Sequence, residues 1–119
     1  MYFTGKEKQA ILSVFGQMIK ADGRIDSSEI AMSIFILDKL RLQKADLDAS
    51  LQLSAHEQLS IISQMTQAQK RTVYAILFGA MAVDNEADNE EKVLLAFVVG
   101  LCDLPLLSPD EIKEELQNL

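Results

Sequence analysis

The sequence predicts an all-α fold, a single compact bundle of about seven helices over residues 1–119 built around a duplicated helix-loop-helix unit. Three observations lead there. Apolar residues recur at spacings of three and four, with no sustained period-two alternation. Gly and Pro number only five and two, so the punctuation of a strand-rich chain is missing. An acidic octet, Asp-x-x-x-Asp-x-x-Glu, occurs twice: Asp22-Gly-Arg-Ile-Asp26-Ser-Ser-Glu29 and, 62 residues on, Asp84-Asn-Glu-Ala-Asp88-Asn-Glu-Glu91. A shuffled chain would hold on the order of 0.05 such octets, so the pair marks a repeat. Lys8/Lys70, Phe35/Phe97 and the apolar sets Ile11, Val14, Phe15 and Val73, Ile76, Leu77 share the offset.

The first helix, about 5–21, gathers Ile11, Leu12, Val14, Phe15, Met18 and Ile19 on one broad apolar face, and Gly23 stops it. The second, about 27–42, opens with Asp26 as N-cap and Glu29 three residues on, a reciprocal capping box, with Ile25 and Ile30 as its hydrophobic staple. A short helix near 45–52 follows, then one near 55–65 opened by the box Ser54/Glu57. Thr66 and Gln69 repeat that device before a helix at about 67–83, whose Val73, Ile76, Leu77, Phe78, Ala80 and Met81 make it the expected centre of the bundle. In the next loop Asn85 stands in for Gly23, and Asn tolerates the same left-handed backbone. Asp88 and Glu91 cap a helix at about 89–103, whose apolar run Val93 to Cys102 reads as buried on nearly all sides. That run is about half of what a bilayer crossing needs. The last helix, about 109–118, opens with Ser108-Pro109-Asp110-Glu111, with Leu107 placed to pack on Ile112.

A chain of 119 residues buries about 60–70% of its extended surface on folding, enough for one core and one domain. The net charge of −7 falls mainly on residues 61–119, with four bases against ten acids. Nucleic acid is therefore not an expected partner, because phosphate binding needs a basic face. The N-terminus lacks the charged-then-apolar pattern of a secretory signal, which makes the cytoplasm the expected location. Cys102 is the lone cysteine, ruling out an internal disulfide or a multi-thiolate metal site, and its apolar neighbours suggest an inert buried thiol. His56, the only histidine, lies in the first turn of a helix and reads as a surface residue. No nucleophile accompanies the carboxylates, and the chain is expected not to be an enzyme.

The acidic loops carry two readings. Asp26/Glu29 and Asp88/Glu91 are explained as caps. Asp22 and Asp84 are not: each follows the C-terminal end of a helix, where the dipole disfavours a carboxylate. One account is solvation with local hydrogen bonds in an exposed turn. The other is a hard divalent cation, Ca²⁺, Mg²⁺ or Mn²⁺, held by Asp22, Asp26 and Glu29 and again by Asp84, Asp88 and Glu91. The loops are not EF-hands, because the sixth and twelfth positions hold Ser27 and Ser33 in one and Asn89 and Leu95 in the other, instead of Gly and Glu. Lys39, Arg41 and Lys44 after the second helix read as dipole-compatible solvated charges, with contact to an acidic partner or lipid as the alternative.

The stretch Ile19-Lys20-Ala21-Asp22-Gly23-Arg24-Ile25-Asp26 with Glu29, and its degenerate copy from Ala82 to Glu91, resembles the TerB-like family. That family is named for a bacterial tellurite-resistance protein and also occurs as a domain of membrane-associated co-chaperones. The resemblance spans the whole chain and implies a compact helical domain whose acidic residues bind metal, in a setting of metal or membrane stress. The second loop departs from the pattern at Val83 and Asn85, where Ala and Gly are expected. A metal-free interaction module whose acidic face docks a basic protein is the alternative. Homodimerisation through the sixth or seventh helix and peripheral membrane contact stay open.

Overall fold

The computed structural model describes residues 3–20, 27–82 and 89–119. Seven helices follow one another: α1 (Gly5–Lys20), α2 (Ser27–Lys39), α3 (Lys44–Ser50), α4 (Ala55–Ser63), α5 (Gln67–Ala82), α6 (Asn89–Cys102) and α7 (Pro109–Gln117). The described residues contain no strand. The radius of gyration is 12.9 Å, against about 13.5 Å for a compact domain of this length.

The repeat announced by the acidic octets is wider than they are. Thr4 and Thr66, one offset apart, each close a capping box. Thr4 N–H donates to Glu7 Oε1 (2.8 Å) and Glu7 N–H to Thr4 Oγ1 (3.2 Å), while Thr66 N–H donates to Gln69 Oε1 (2.9 Å) and Gln69 N–H to Thr66 Oγ1 (3.1 Å). Each box satisfies two backbone donors that a helix start otherwise leaves free. Gln69 Nε2 then donates to Glu7 Oε1 (3.2 Å), so the two equivalent first turns touch each other. Phe3 and Met65 precede the boxes and both are buried.

The far ends of the two units match as well. Arg41 (φ 53°) and Asp103 (φ 54°), again 62 apart, hold the left-handed conformation that usually falls to glycine. Leu42 N–H donates to Leu37 O and Leu104 N–H to Val99 O, each at 3.0 Å, the six-to-one bond of a Schellman ending. This is why α2 stops at Lys39 rather than near 42, as the apolar spacing of Leu40 and Leu42 suggests. The other helix boundaries lie within one or two residues of expectation, the usual play at frayed ends.

α5 is the centre of the bundle, packing against α1, α2, α6 and α7, and Val73 to Leu77 are buried on every side of it. Gly79 lets it sit close: a Cβ there would lie 3.0 Å from Met32 Cε of α2 and 3.2 Å from Leu116 Cδ1 of α7. α7 is clamped to α5 by polar contacts. Arg71 reaches Glu111 (3.2 Å) and Glu115 (3.1 Å), and the buried Thr72 hydroxyl donates to the other oxygen of Glu115 (3.0 Å). The segment between the units is tied to α1, since Ser13 Oγ donates to Ser50 O (2.6 Å) and Gln17 Nε2 to the buried Gln58 side chain (3.1 Å). The box Ser54/Glu57 forms as expected, and Ser108/Glu111 and Gln43/Asp46 add boxes at α7 and α3. Leu107 and Ile112 both join the core.

One expectation fails. The run from Val93 to Cys102 is not buried on nearly all sides: Leu95, Val98 and Cys102 face the core, but Val93, Phe97 and Leu101 are 53, 61 and 62% exposed. The equivalence of Phe35 and Phe97 stops at sequence as well. Phe35 packs on the core under the Lys39 ammonium, 5.9 Å from its ring centre, whereas Phe97 points outward.

Two measurements check this account. Thr4→Ala and Thr66→Ala each remove one box and should cost about 1 kcal/mol in denaturant unfolding, Thr66→Ala with the same slope as the parent. The second concerns pH. Glu111 is held below its ordinary value, chiefly by the backbone and hydroxyl of Ser108 and then by Arg71. A carboxylate depressed on folding stabilises above its unfolded value and loses that effect as pH falls through the folded one. Glu111→Gln should therefore flatten the fall of melting temperature below about pH 4.5 and leave its pH dependence above pH 6 unchanged.

Candidate functional site

The acidic loops connect equivalent helix pairs, one between Lys20 of α1 and Ser27 of α2, the other between Ala82 of α5 and Asn89 of α6. Asp22, Asp26, Asp84 and Asp88 lie outside the described residues. Glu29 and Glu91 belong to the first turns of α2 and α6, and the starts at Ser27 and Asn89 put both at the third helical position, the register a capping box requires. Their side chains, with the proposed staple partner Ile25, are likewise outside the description. Ile30 is half exposed. Among the described residues no group of three or more His, Cys, Asp or Glu stands ready to hold a metal.

The remaining chemistry-bearing residues are where the sequence places them. His56 is exposed in the first turn of α4. Cys102 is fully buried, donates a weak bond to Leu59 O (3.5 Å), and is pushed up by burial, an effect that nearby Lys70 partly offsets. A thiol in that state is neither accessible nor ionised near neutral pH. Met32 and Met65 fill the core. No helix among the described residues is long and apolar enough to cross a membrane.

Two concave features were not foreseen. A pocket of about 660 Å³ opens where the start of α1 meets the end of α2, lined by Phe3, Lys8, Asp38, Lys39, Leu40, Arg41 and Leu119. Three cations thus gather around an apolar floor in a chain of net charge −7. The sequence groups Lys39 with Arg41 but gives no sign that Lys8 joins them, because only the packing of α1 beside the end of α2 does so. The left-handed backbone at Arg41 sets the chain direction there. A shallower apolar groove of about 400 Å³ separates α2 from α7, with Met32, Phe35 and Leu116 at its base and Lys39 and Lys113 on its rim.

The duplicated unit makes the two ends of the bundle chemically different. Lys8 shares its pocket with Asp38, Lys39, Leu40 and Arg41. The residues one offset on are Lys70 with Gly100, Leu101, Cys102 and Asp103, and here the lysine is buried and the surface beyond it is apolar. One copy carries a charged pocket; the other carries an exposed apolar helix face.

No family model matches the chain, and no curated protein matches it either. It is similar along its whole length to a solved structure, the crystal structure of the protein of unknown function PG1108 from Porphyromonas gingivalis W83. The two are 29% identical, the likeness covers 100% of this chain and 99% of that one, and the TM-score is 0.81. The seven-helix arrangement described above is thus similar to one found in a crystal.

Proposed function

We propose that the chain is a non-enzymatic TerB-like helical domain that binds a divalent cation through its two acidic loops, in a setting of metal or membrane stress. The observation that carries this reading is the duplication. Capping boxes, buried positions and Schellman endings recur at one offset, so the two loops join equivalent helix ends in two copies of one unit. A loop motif retained in both copies while the surfaces around it diverge needs a reason beyond helix capping, and Asp22 and Asp84 are the residues that capping leaves unexplained. Hard cations prefer such all-oxygen donor sets. The pattern is intact in the first loop and altered at Val83 and Asn85 in the second, which makes Asp22, Asp26 and Glu29 the stronger set.

A second reading rests on charge. Asp103, Asp110 and Glu114 are exposed, while Arg71 is already engaged by Glu111 and Glu115. The second half of the chain therefore presents carboxylates that no internal cation neutralises among the described residues, a surface suited to a basic protein partner.

Thermal unfolding of chelator-treated protein with Ca²⁺, Mg²⁺ or Mn²⁺ added in turn decides between them. A cation at ten times its dissociation constant stabilises by about 1.4 kcal/mol, a rise of about 6 °C for a domain of this size. Asp22→Asn should abolish the rise, and Asp84→Asn should reduce it less. Indifference to every ion at millimolar concentration defeats the cation reading and leaves the acidic surface.

A further inference from the structure

From Val93 to Leu101 the outward face of α6 is apolar, and nothing among the described residues covers it. Val93, Phe97 and Leu101 form one row at a spacing of four, each more than half exposed. Ala96 and Gly100 form the neighbouring row and are exposed as well. The face carries no carboxylate between Lys92 and Asp103. Glycine inside a helix is destabilising relative to alanine, and a Cβ at Gly100 would meet nothing within 4 Å. Internal packing therefore gives no reason for a glycine there, in contrast to Gly79, where two side chains press on the backbone.

The geometry points to a second copy of this chain as the occupant, with the two α6 helices crossing antiparallel about a twofold axis near Phe97 and Gly100. Three features favour self-association over a foreign partner. First, the face holds both halves of a ridge-into-groove contact: the row Val93, Phe97, Leu101 is a ridge, and the row Ala96, Gly100 beside it is a groove of the same pitch. A helix bearing both is complementary to itself, and an isologous contact uses each twice. Gly100 then lies where the two backbones approach.

Second, the charges agree. Two copies of a chain with net charge −7 repel, but from Lys92 to Cys102 this face carries no carboxylate. An antiparallel crossing carries the exposed Lys92 of one copy toward the Asp103 end of the other, and does so twice. Third, the exposure is concentrated: Val93, Phe97 and Leu101 are all more than half exposed on one face, and a specific interface is built around such a central apolar and aromatic cluster.

The equivalent face of α2 shows what was exchanged. In place of Gly100 and Leu101 it carries Asp38 and Lys39, and its Phe35 is packed on the core beside the groove to α7. α2 exposes Ile30 and Ile34 instead, a row that lacks the glycine at which two backbones could approach.

Sedimentation equilibrium of the full chain from about 5 to 500 µM should show a monomer–dimer equilibrium, and Phe97→Asp should weaken it at least about 100-fold while melting as the parent does. Gly100→Cys supplies a measurement independent of that variant: under mild oxidation the introduced thiols should join two chains, whereas the natural Cys102 is buried and should not. A monomer at every concentration, or a dimer that Phe97→Asp leaves intact, overturns the proposal. So does failure of the Gly100→Cys chains to cross-link under conditions where the protein is dimeric.

Discussion

The contact between the first turns of α1 and α5 organises everything else. Glu7 closes the cap of its own helix and, with the same oxygen, accepts a bond from Gln69, which closes the equivalent cap on the other unit. Two helix starts thereby share one small network at the junction. Once the starts are side by side, the apolar faces of α1 and α5 meet, and Ile11, Val14 and Phe15 lie in one core with Val73, Ile76 and Leu77. α2 packs on α5, and α6 packs on both α1 and α5 as well as on α4. An exchange of Gln69 for glutamate would set two carboxylates against each other at this point, so the difference between the two otherwise matched boxes has a physical reason.

Outside that shared core the copies have diverged in the direction of their surroundings. α7 lies against α5 and forms one wall of the apolar groove beside α2, so Phe35 is largely covered. α4 packs on α6 from the side of Cys102 and Leu59, leaving the opposite face of α6 open. Core positions kept their apolar character in both units because each methylene there contributes about 0.8 kcal/mol, whereas surface positions were free to change. Repeat symmetry thus survives where burial enforces it.

Much of this was legible beforehand for physical reasons. Helix positions follow from apolar spacing and from boxes such as Ser54/Glu57, Thr66/Gln69 and Ser108/Glu111, all local patterns in which the residues that signal the start also make the bond. The box at Thr4/Glu7 carries the same local signal. The left-handed residues Arg41 and Asp103 carry no local mark, since only comparison between the copies, or the backbone itself, reveals them. The outward face of α6 was misread because an apolar run looks the same whether the core or another molecule covers it. Of the candidate site, the motif and its duplication were visible. The basic pocket was not, because Lys8 reaches Lys39 and Arg41 only through tertiary packing.

The segment from Gln43 to Gln64 does more than connect two copies. Its helices are fastened to α1 through Ser13 and Gln17, and α4 also touches α6, so the connection is part of the wall of the bundle. A duplicated chain with a loose tether is free to trade one unit with the matching unit of a neighbour, because the exchanged contacts are the same ones. Here such a trade would first have to tear the connecting helices from both halves. The cost of tearing away those helices opposes the tangling with one's own kind to which a duplicated chain is otherwise open.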